Sequence, residues 1–171
     1  PKILNLKQVL EAFIRHRQEV VTRRTLFLMR KARDRAHSLE GFAVALANID
    51  EIIQIIKKSA TAADAREKLV SKTWLPGDNV SKMLSKLEPG IAKPEWLDEK
   101  YGLKNKKYKI SPEQAKDILE LRLNRLTGME HEKIIEEFHE KLEEIATYQN
   151  ILGNSDVLMD VIKTELLEVK E

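Results

Sequence analysis

The chain has 171 residues, of which 42% are hydrophobic, 34% charged and 5% aromatic, and its formal net charge is +2. This composition favours helices and excludes a disordered tail or a membrane protein, because no apolar run approaches the roughly 20 residues that a membrane span needs. The absence of cysteine excludes disulfides and thiolate chemistry and suits a reducing, cytoplasmic location. Since the chain begins with Pro1 and ends in an amphipathic pattern, we expect a piece of a longer polypeptide.

The net charge conceals a gradient along the chain. Residues 1–37 carry ten Lys and Arg against three acids, residues 38–110 carry thirteen against ten, and residues 111–171 carry seven against fifteen. A basic first segment and an acidic last segment suit pairing with each other as well as pairing with an outside polyanion. Both interpretations remain open at this stage.

The first predicted element is a long helix that begins after an N-cap at Asn5 and ends near His37. Positions at alternating spacings of four and three predict a coiled-coil seam in which two arginines interrupt the apolar stripe. The residues of this seam are Leu6, Leu10, Phe13, Arg17, Val20, Arg24 and Phe27. A helix of this length needs a partner to bury its stripe.

The middle of the chain predicts a compact helical knob. Its first half contains a buried helix over Phe42–Lys57, a short helix from Thr61 or Asp64 to Lys72, and a turn over 74–78. A short helix over Val80–Leu87 and a β-hairpin within 101–110, with its turn at Asn105 and Lys106, follow. The last element is a helix from the capping box at Ser111 to Gly128. In that last helix, leucines fall on more than one side. This indicates either two buried faces, one of them toward a partner chain, or a core helix buried all round.

The last segment predicts the partner of the first helix. Its seam runs through Ile135, Phe138, Leu142, Ile145, Gln149 and Leu152. Gly153 and Asn154 then end one helix and begin another. The predicted fold is therefore mainly all-α: a long antiparallel two-helix coiled-coil arm that carries a small globular domain. We place the arm helix at 1–38, the globular domain at 39–129 and the returning helices at 130–171.

No catalytic constellation is evident in the sequence. The spacings Glu136-x-x-His139 and Asp34-x-x-His37 resemble ligand pairs of di-metal bundles, but the predicted seam places most neighbouring acids on the outside, where Glu132, Glu136, Glu140 and Glu143 can pair with the basic helix. No glycine-rich phosphate loop, Gly-x-Ser-x-Gly or His-Glu-x-x-His motif occurs. We therefore predict no metal site, no cofactor and no enzymatic activity for this chain by itself.

Several long strings of the sequence resemble one protein family. They are Leu6–Arg17, Val20–Thr25, Arg30–His37, Ala43–Asp50, Gln114–Leu123 and Leu126–Glu130. Together they are similar to the arm and exit-gate region of the DNA gyrase A subunits, which are type IIA topoisomerases. The Leu126-Thr127-Gly128 string and the 94–97 connector resemble gyrase more than topoisomerase IV.

The resemblance implies a module of a larger DNA-handling machine. In this family the A subunits dimerise at a DNA gate and at an exit gate, and coiled-coil arms between the gates enclose a cavity for the transported duplex. The resemblance places the catalytic tyrosine upstream of this chain and a DNA-wrapping domain downstream. It implies ATP and Mg²⁺ through a partner B subunit, in an A2B2 assembly with double-stranded DNA and no membrane.

The apolar and basic patterns described above, taken with the exit-gate hypothesis, give two sets of candidate residues. The candidate dimer interface comprises Ile118, Leu121, Arg122, Leu123, Arg125, Leu126, Thr127, Phe42 and Leu46. The candidate basic residues of the DNA cavity are Arg15, Arg17, Arg23 and Arg24. Two alternatives from other classes remain: a nucleic-acid-binding helical arm of another enzyme, such as one that handles tRNA, and a di-metal oxidoreductase.

Overall fold

The computed structural model describes residues 4–85, 92–121 and 128–170, without the side chains of 79, 83–85 and 128–130. Within these ranges the chain forms seven helices and three short strands, which confirms the mainly helical fold. In chain order they are α1 (Leu6–Ala47), α2 (Ile49–Lys58), α3 (Ala62–Ser71), β1 (Thr73–Trp74), α4 (Asp78–Ser85), β2 (Gly102–Lys104), β3 (Lys107–Lys109), α5 (Pro112–Glu120), α6 (Gly128–Gly153) and α7 (Ser155–Lys170). Over the described ranges, no helix is long and apolar enough to cross a bilayer.

Helix α1 begins at the predicted cap and runs further than predicted. Asn5 and Gln8 form a capping box, and the helix continues through Gly41 for 42 residues, about 63 Å. The predicted end near His37 and the separate helix from Phe42 are therefore wrong. The break lies at Asn48, whose side-chain amide donates to the carbonyls of Val44 and Leu75, 2.8 Å away in each case.

Helices α1 and α6 form the predicted antiparallel arm, but the seam predicted on α1 is wrong. Leu6 is 76% exposed and Phe27 is 55% exposed, and the other apolar members of that seam are exposed as well. The buried stripe lies on a different face and is made of Val21, Thr25, Met29, Ala32 and Ala36. Its two alanines allow close approach of the apolar residues on α6.

The seam predicted on α6 is confirmed at its centre. Phe138, Leu142 and Ile145 are buried in one cluster with Ala32 and Ala36 of α1. At the end of α6, Asn154 caps α7 as predicted, because its side-chain oxygen accepts from the backbone N–H groups of Asp156 and Val157. Helix α7 contacts both α1 and α6 and buries Ile162.

The predicted β-hairpin is present, with a third strand that the sequence did not indicate. Asn105 and Lys106 have φ angles of 48° and 62°, so the two-residue turn between β2 and β3 has the left-handed backbone typical of tight hairpins. Strand β1 pairs antiparallel with β3, which gives the order β1-β3-β2. This pairing places Trp74 opposite Tyr108, and both side chains are buried.

The helices predicted around the sheet are present with shifted ends. Thr61 caps α3 as expected, and Ser111 begins α5 with the predicted capping box and Pro112 in its first turn. Helix α5 ends at Glu120, since Leu121 has extended backbone angles (φ −67°, ψ 121°), so an unbroken helix from Ser111 to Gly128 is wrong. Among the described residues of 39–121, the core is built around Leu39, Val44, Leu69 and Ile110. We refer to this globular part as the tip.

Candidate functional site

A buried polar cluster lies where α1, β3 and α5 meet, at the junction of the arm with the tip. Its members are His37, Glu40, Tyr108, Ser111 and Gln114, and each is at most 9% exposed. The capping pattern at Ser111 and Gln114 predicts the start of α5 but not that these two residues contact His37 of the arm helix. No short-range pattern indicates this contact, because His37 and Gln114 are 77 residues apart in sequence.

The side chain of Gln114 is the centre of this junction cluster. Its Nε2 atom donates to the main-chain oxygen of His37 and to the hydroxyl of Tyr108, both at 2.7 Å, and lies 3.2 Å from His37 Nδ1. Its Oε1 atom accepts from the backbone N–H of Ser111 at 3.0 Å. The hydroxyl of Ser111 lies 2.8 Å from His37 Nε2. Gln114 therefore connects the three elements directly.

Gly41 provides the space that Gln114 needs. A Cβ atom at position 41 would lie 2.8 Å from Cγ of Gln114 and 3.0 Å from its Cβ and Cδ. These distances are shorter than carbon atoms tolerate without displacement. The glycine inside α1 therefore allows α5 to pack closely on the arm helix, although glycine weakens a helix on its own.

Two ionisable groups of the junction cluster have strongly shifted pKa values. Burial raises the pKa of the Glu40 carboxyl from 4.5 to about 7. A hydrogen bond with Tyr108 and the charge of Lys93 lower this pKa, but by less than burial raises it. Burial lowers the pKa of His37 from 6.5 to about 4, although the acids Glu113, Asp117 and Asp34 act in the opposite direction. Burial and the nearby Glu40 also raise the pKa of Tyr108. At neutral pH His37 is therefore uncharged, and Glu40 keeps its proton to a higher pH than an exposed glutamate does.

The segment 92–101 lies against α1 beside this cluster. The indole N–H of Trp96 donates to Asp34 at 2.8 Å, and the ring meets the His37 ring edge-on at 5.6 Å between centroids. Glu95 pairs with Arg30 at 3.3 Å and with Arg33 at 3.7 Å. The arm helix is thus held at the junction both by α5 and by this segment.

The geometry assigns this cluster a structural role and does not support the di-metal interpretation. Asp34 accepts from Trp96 and His37 bonds within the cluster, whereas Glu136 and His139 are exposed on α6. Over the described ranges, no group of three or more acidic or imidazole side chains could hold a metal ion. What the arrangement can do is fix the angle and register of α5 on α1.

The predicted interface residues fall into three groups. Phe42, Leu46 and Leu121 are half-exposed on the tip, and Ile118 is buried in the core of the tip. Leu119, which is not among the predicted interface residues, follows Ile118 in sequence. It is half-exposed and packs against the core cluster. The remaining candidates lie outside the described residues: Arg122, Leu123, Arg125, Leu126 and Thr127.

The four predicted basic residues of the arm also separate into two pairs. Arg17 and Arg24 both bond to Glu165 of α7, with Arg17 at 2.6 Å. The hydrogen bond from Arg24 is the main cause of a lowered pKa of Glu165. Arg15 and Arg23 are exposed, and Arg23 pairs with Glu19, one turn away on the same helix, at 3.6 Å.

The predicted pairing of the basic helix with the acidic helices occurs, but through other acids. Arg35 forms a two-bond ion pair with Glu137 of α6, at 2.6 and 2.7 Å. Glu165 of α7 supplies the second link between the basic and acidic segments. The four glutamates predicted for this role, Glu132, Glu136, Glu140 and Glu143, are exposed. The acids that pair differ from the predicted ones because α1 packs on the acidic helices through a different face from the one that the predicted seam indicated.

Comparison with known proteins assigns this architecture to a family. Residues 1–167 match the family model of the DNA gyrase/topoisomerase IV A subunits. The DNA gyrase A subunit of Aeromonas salmonicida is 54% identical over 171 residues, which is 100% of this chain and 18% of that relative. Its counterpart from Pseudomonas aeruginosa is 52% identical over 170 residues, 99% of this chain and 18% of the relative. The counterpart from Escherichia coli K12 is 53% identical over 138 residues, 81% of this chain and 16% of the relative. The chain thus spans less than a fifth of the length of these relatives.

Proposed function

The chain belongs to the family of DNA gyrase/topoisomerase IV A subunits, and we propose that it is the exit-gate module of a type IIA topoisomerase. In this proposal the tip pairs with the tip of a second copy and holds the two large subunits together. Opening of that contact releases the transported duplex. The chain itself carries no catalytic group in this scheme, and the parent's ATP and Mg²⁺ act through a partner B subunit.

The observation that carries the proposal is the combination of a long arm with a tip whose core is continuous with the buried face of that arm. Helix α1 extends for 42 residues and enters the tip without a break, so a movement of the arm is transmitted directly into the tip. The break at Asn48 comes only after α1 has contributed Leu39, Ala43 and Val44 to the core of the tip. A rigid lever of this kind is what a gate operated from a distance requires.

The junction cluster supports the same proposal. Helix α5 leads directly in sequence to the candidate contact residues 121–127. Gln114 fixes α5 to the arm through two polar contacts with His37, one to its main-chain oxygen and one to Nδ1, and Gly41 lets the two helices approach. The orientation of α5, and of Leu121 directly after it, is therefore coupled to the arm helix. A two-fold interface requires such a fixed orientation, because the same patch must meet itself.

The exposed basic residues of the arm suit a cavity that receives duplex DNA. Arg15 and Arg23 are exposed, and Arg23 pairs within its own helix, whereas Arg17 and Arg24 are engaged by Glu165 of α7. We assign DNA attraction to the first pair and attachment of α7 to the second pair. Attraction of this kind is independent of sequence and weakens as salt is added.

Single cysteines and a bis-maleimide reagent test the tip contact, since the chain has no cysteine of its own. We expect Leu46→Cys and Leu121→Cys to give covalent dimers at micromolar protein. Leu167→Cys provides the matched control, because Leu167 is 54% exposed on α7, close to the Arg17 and Arg24 end of the arm rather than the tip. Equal cross-linking at all three positions would reject the proposal. Salt-sensitive DNA binding without any tip cross-link would instead favour a nucleic-acid-binding arm.

A further inference from the structure

Three lysines share one face of the small sheet in the tip. The register pairs Lys104 with Lys107 and Lys109 with both Gly102 and Thr73. Because side chains alternate along a strand, Lys104, Lys107 and Lys109 lie on the face opposite to Trp74 and Tyr108. We call these three residues the lysine face.

The lysine face is costly for the protein alone. Lys104 and Lys107 are exposed and directly opposite each other, an arrangement in which like charges repel. Among the residues that the structure describes, none of the three makes an ion pair. The positive charge therefore has no partner within the described parts of this chain.

The turn beside this face carries a fourth lysine in an unfavourable backbone conformation. Lys106 is exposed and has a φ of 62°, a region where glycine is preferred because it has no Cβ. A glycine at this position would give a more stable hairpin. The side chain thus adds charge to the lysine face at the expense of hairpin stability.

We propose that the lysine face, with Lys106, binds the phosphate backbone of duplex DNA. The inference rests on the proposed function only in that the parent handles duplex DNA. Lys107 and Lys109 are two residues apart on one strand, which separates them by about 6.6 Å. Such a row of cations faces successive phosphates of one DNA strand. The outward residues of the sheet include no aromatic side chain for base stacking, so the phosphate backbone is the target and the binding is independent of sequence.

The test measures the affinity of this chain for a fluorescent 30-base-pair duplex at 50, 100 and 200 mM KCl. The triple variant Lys104→Gln/Lys107→Gln/Lys109→Gln is compared with Lys57→Gln/Lys58→Gln/Lys163→Gln, which removes three exposed lysines of α2 and α7. We expect the lysine-face variant to lose affinity about tenfold or more. The plot of log affinity against log salt should become shallower by about 2.7, since each phosphate contact contributes about 0.9. The control should keep most of the slope.

Three further measurements make the outcome decisive. Lys106→Gly should raise the midpoint of thermal unfolding and lower DNA affinity together, which a merely solvating lysine would not do. Equal losses in the two triple variants, or unchanged affinity in Lys106→Gly, would overturn the proposal. So would binding of poly-glutamate through the lysine face without binding of the duplex. The solution mass of each variant separates this question from the gate proposal, because loss of DNA binding with an intact dimer concerns the lysine face alone.

Discussion

The side-chain nitrogen of Gln114 lies 2.7 Å from the hydroxyl oxygen of Tyr108 and 2.7 Å from the main-chain oxygen of His37. One amide therefore connects the tip's sheet and α5 to the arm helix inside a buried environment. Each of these contacts satisfies a polar group that water does not reach. The stability of the junction should depend strongly on this residue.

Gln114→Ala should lower the free energy of unfolding by about 3 kcal/mol, because it leaves buried polar groups unpaired and opens a small cavity. Urea unfolding followed by circular dichroism measures the change. Gln54→Ala, at an exposed position of α2, should change the free energy by less than about 0.5 kcal/mol. Equal effects of the two substitutions would show that the cluster contributes little.

Gly41→Ala should destabilise the protein even though alanine is the better helix former. The added methyl group would lie 2.8 Å from Cγ of Gln114, and displacement of that side chain should cost about 1–3 kcal/mol. Gly153→Ala is the matched control, because nothing lies within 4 Å of a Cβ at that position. The control should leave thermal unfolding nearly unchanged. A stabilised Gly41→Ala variant would contradict the close packing of α5 on α1.

Glu40→Gln should change how stability depends on pH. The folded protein retains the Glu40 proton up to a pKa of about 7, so this stabilising contribution is complete below pH 4.5 and is lost as the pH rises to 7. Neutral His37 has the opposite dependence: its contribution is complete above pH 6.5 and is lost as the pH falls to about 4. Between pH 4.5 and 6.5 the two contributions oppose each other.

The substitution should expose the His37 dependence alone, so that stability rises from pH 4 to 6.5 and then levels off. At pH 8 the variant should also gain up to about 3 kcal/mol over the parent, since it no longer buries a charge. Urea unfolding at several pH values checks both effects. Glu67→Gln, on an exposed position of α3, should follow the parent curve. The absence of any gain at pH 8 would refute the assigned state of Glu40.

Glu165→Gln should weaken the attachment of α7 to the arm. Glu165 bonds to both Arg17 and Arg24. Because the Arg17 side chain is only 26% exposed, little water could replace its lost carboxylate partner. We expect a loss of about 1–2 kcal/mol and faster amide exchange in α7. Glu168→Gln, which is exposed on the same helix, should leave the exchange unchanged. Unaltered exchange in the Glu165 variant would mean that apolar contacts alone hold α7.

The sequence predicts the local elements of this fold better than its buried faces. The caps at Asn5, Thr61, Ser111 and Asn154 depend on side chains within three residues of the backbone they bond, so short-range patterns reveal them. The turn at Asn105 is detectable for the same reason. These features need no knowledge of the tertiary structure.

The buried face of α1 was missed because it combines Val21 and Met29 with two small alanines, whereas the predicted seam followed the large apolar residues. Ala32 and Ala36 are weakly hydrophobic, yet they let α6 approach, whereas Phe27 remains exposed. The junction cluster was missed for a related reason. His37 and Gln114 are 77 residues apart in sequence, so only the packing of α5 on α1 brings them together. Likewise, the pairing of β1 with β3 is a contact between distant segments.

The solution mass of the chain at micromolar concentrations tests the gate proposal most directly. Sedimentation equilibrium should give twice the monomer mass of 19.8 kDa, and Leu121→Asp should shift the chain toward the monomer. Leu167→Asp, on α7 of the arm, should remain dimeric. A parent chain that stays monomeric across this concentration range, or a Leu167→Asp variant that dissociates as readily as Leu121→Asp, would contradict dimerisation through the tip.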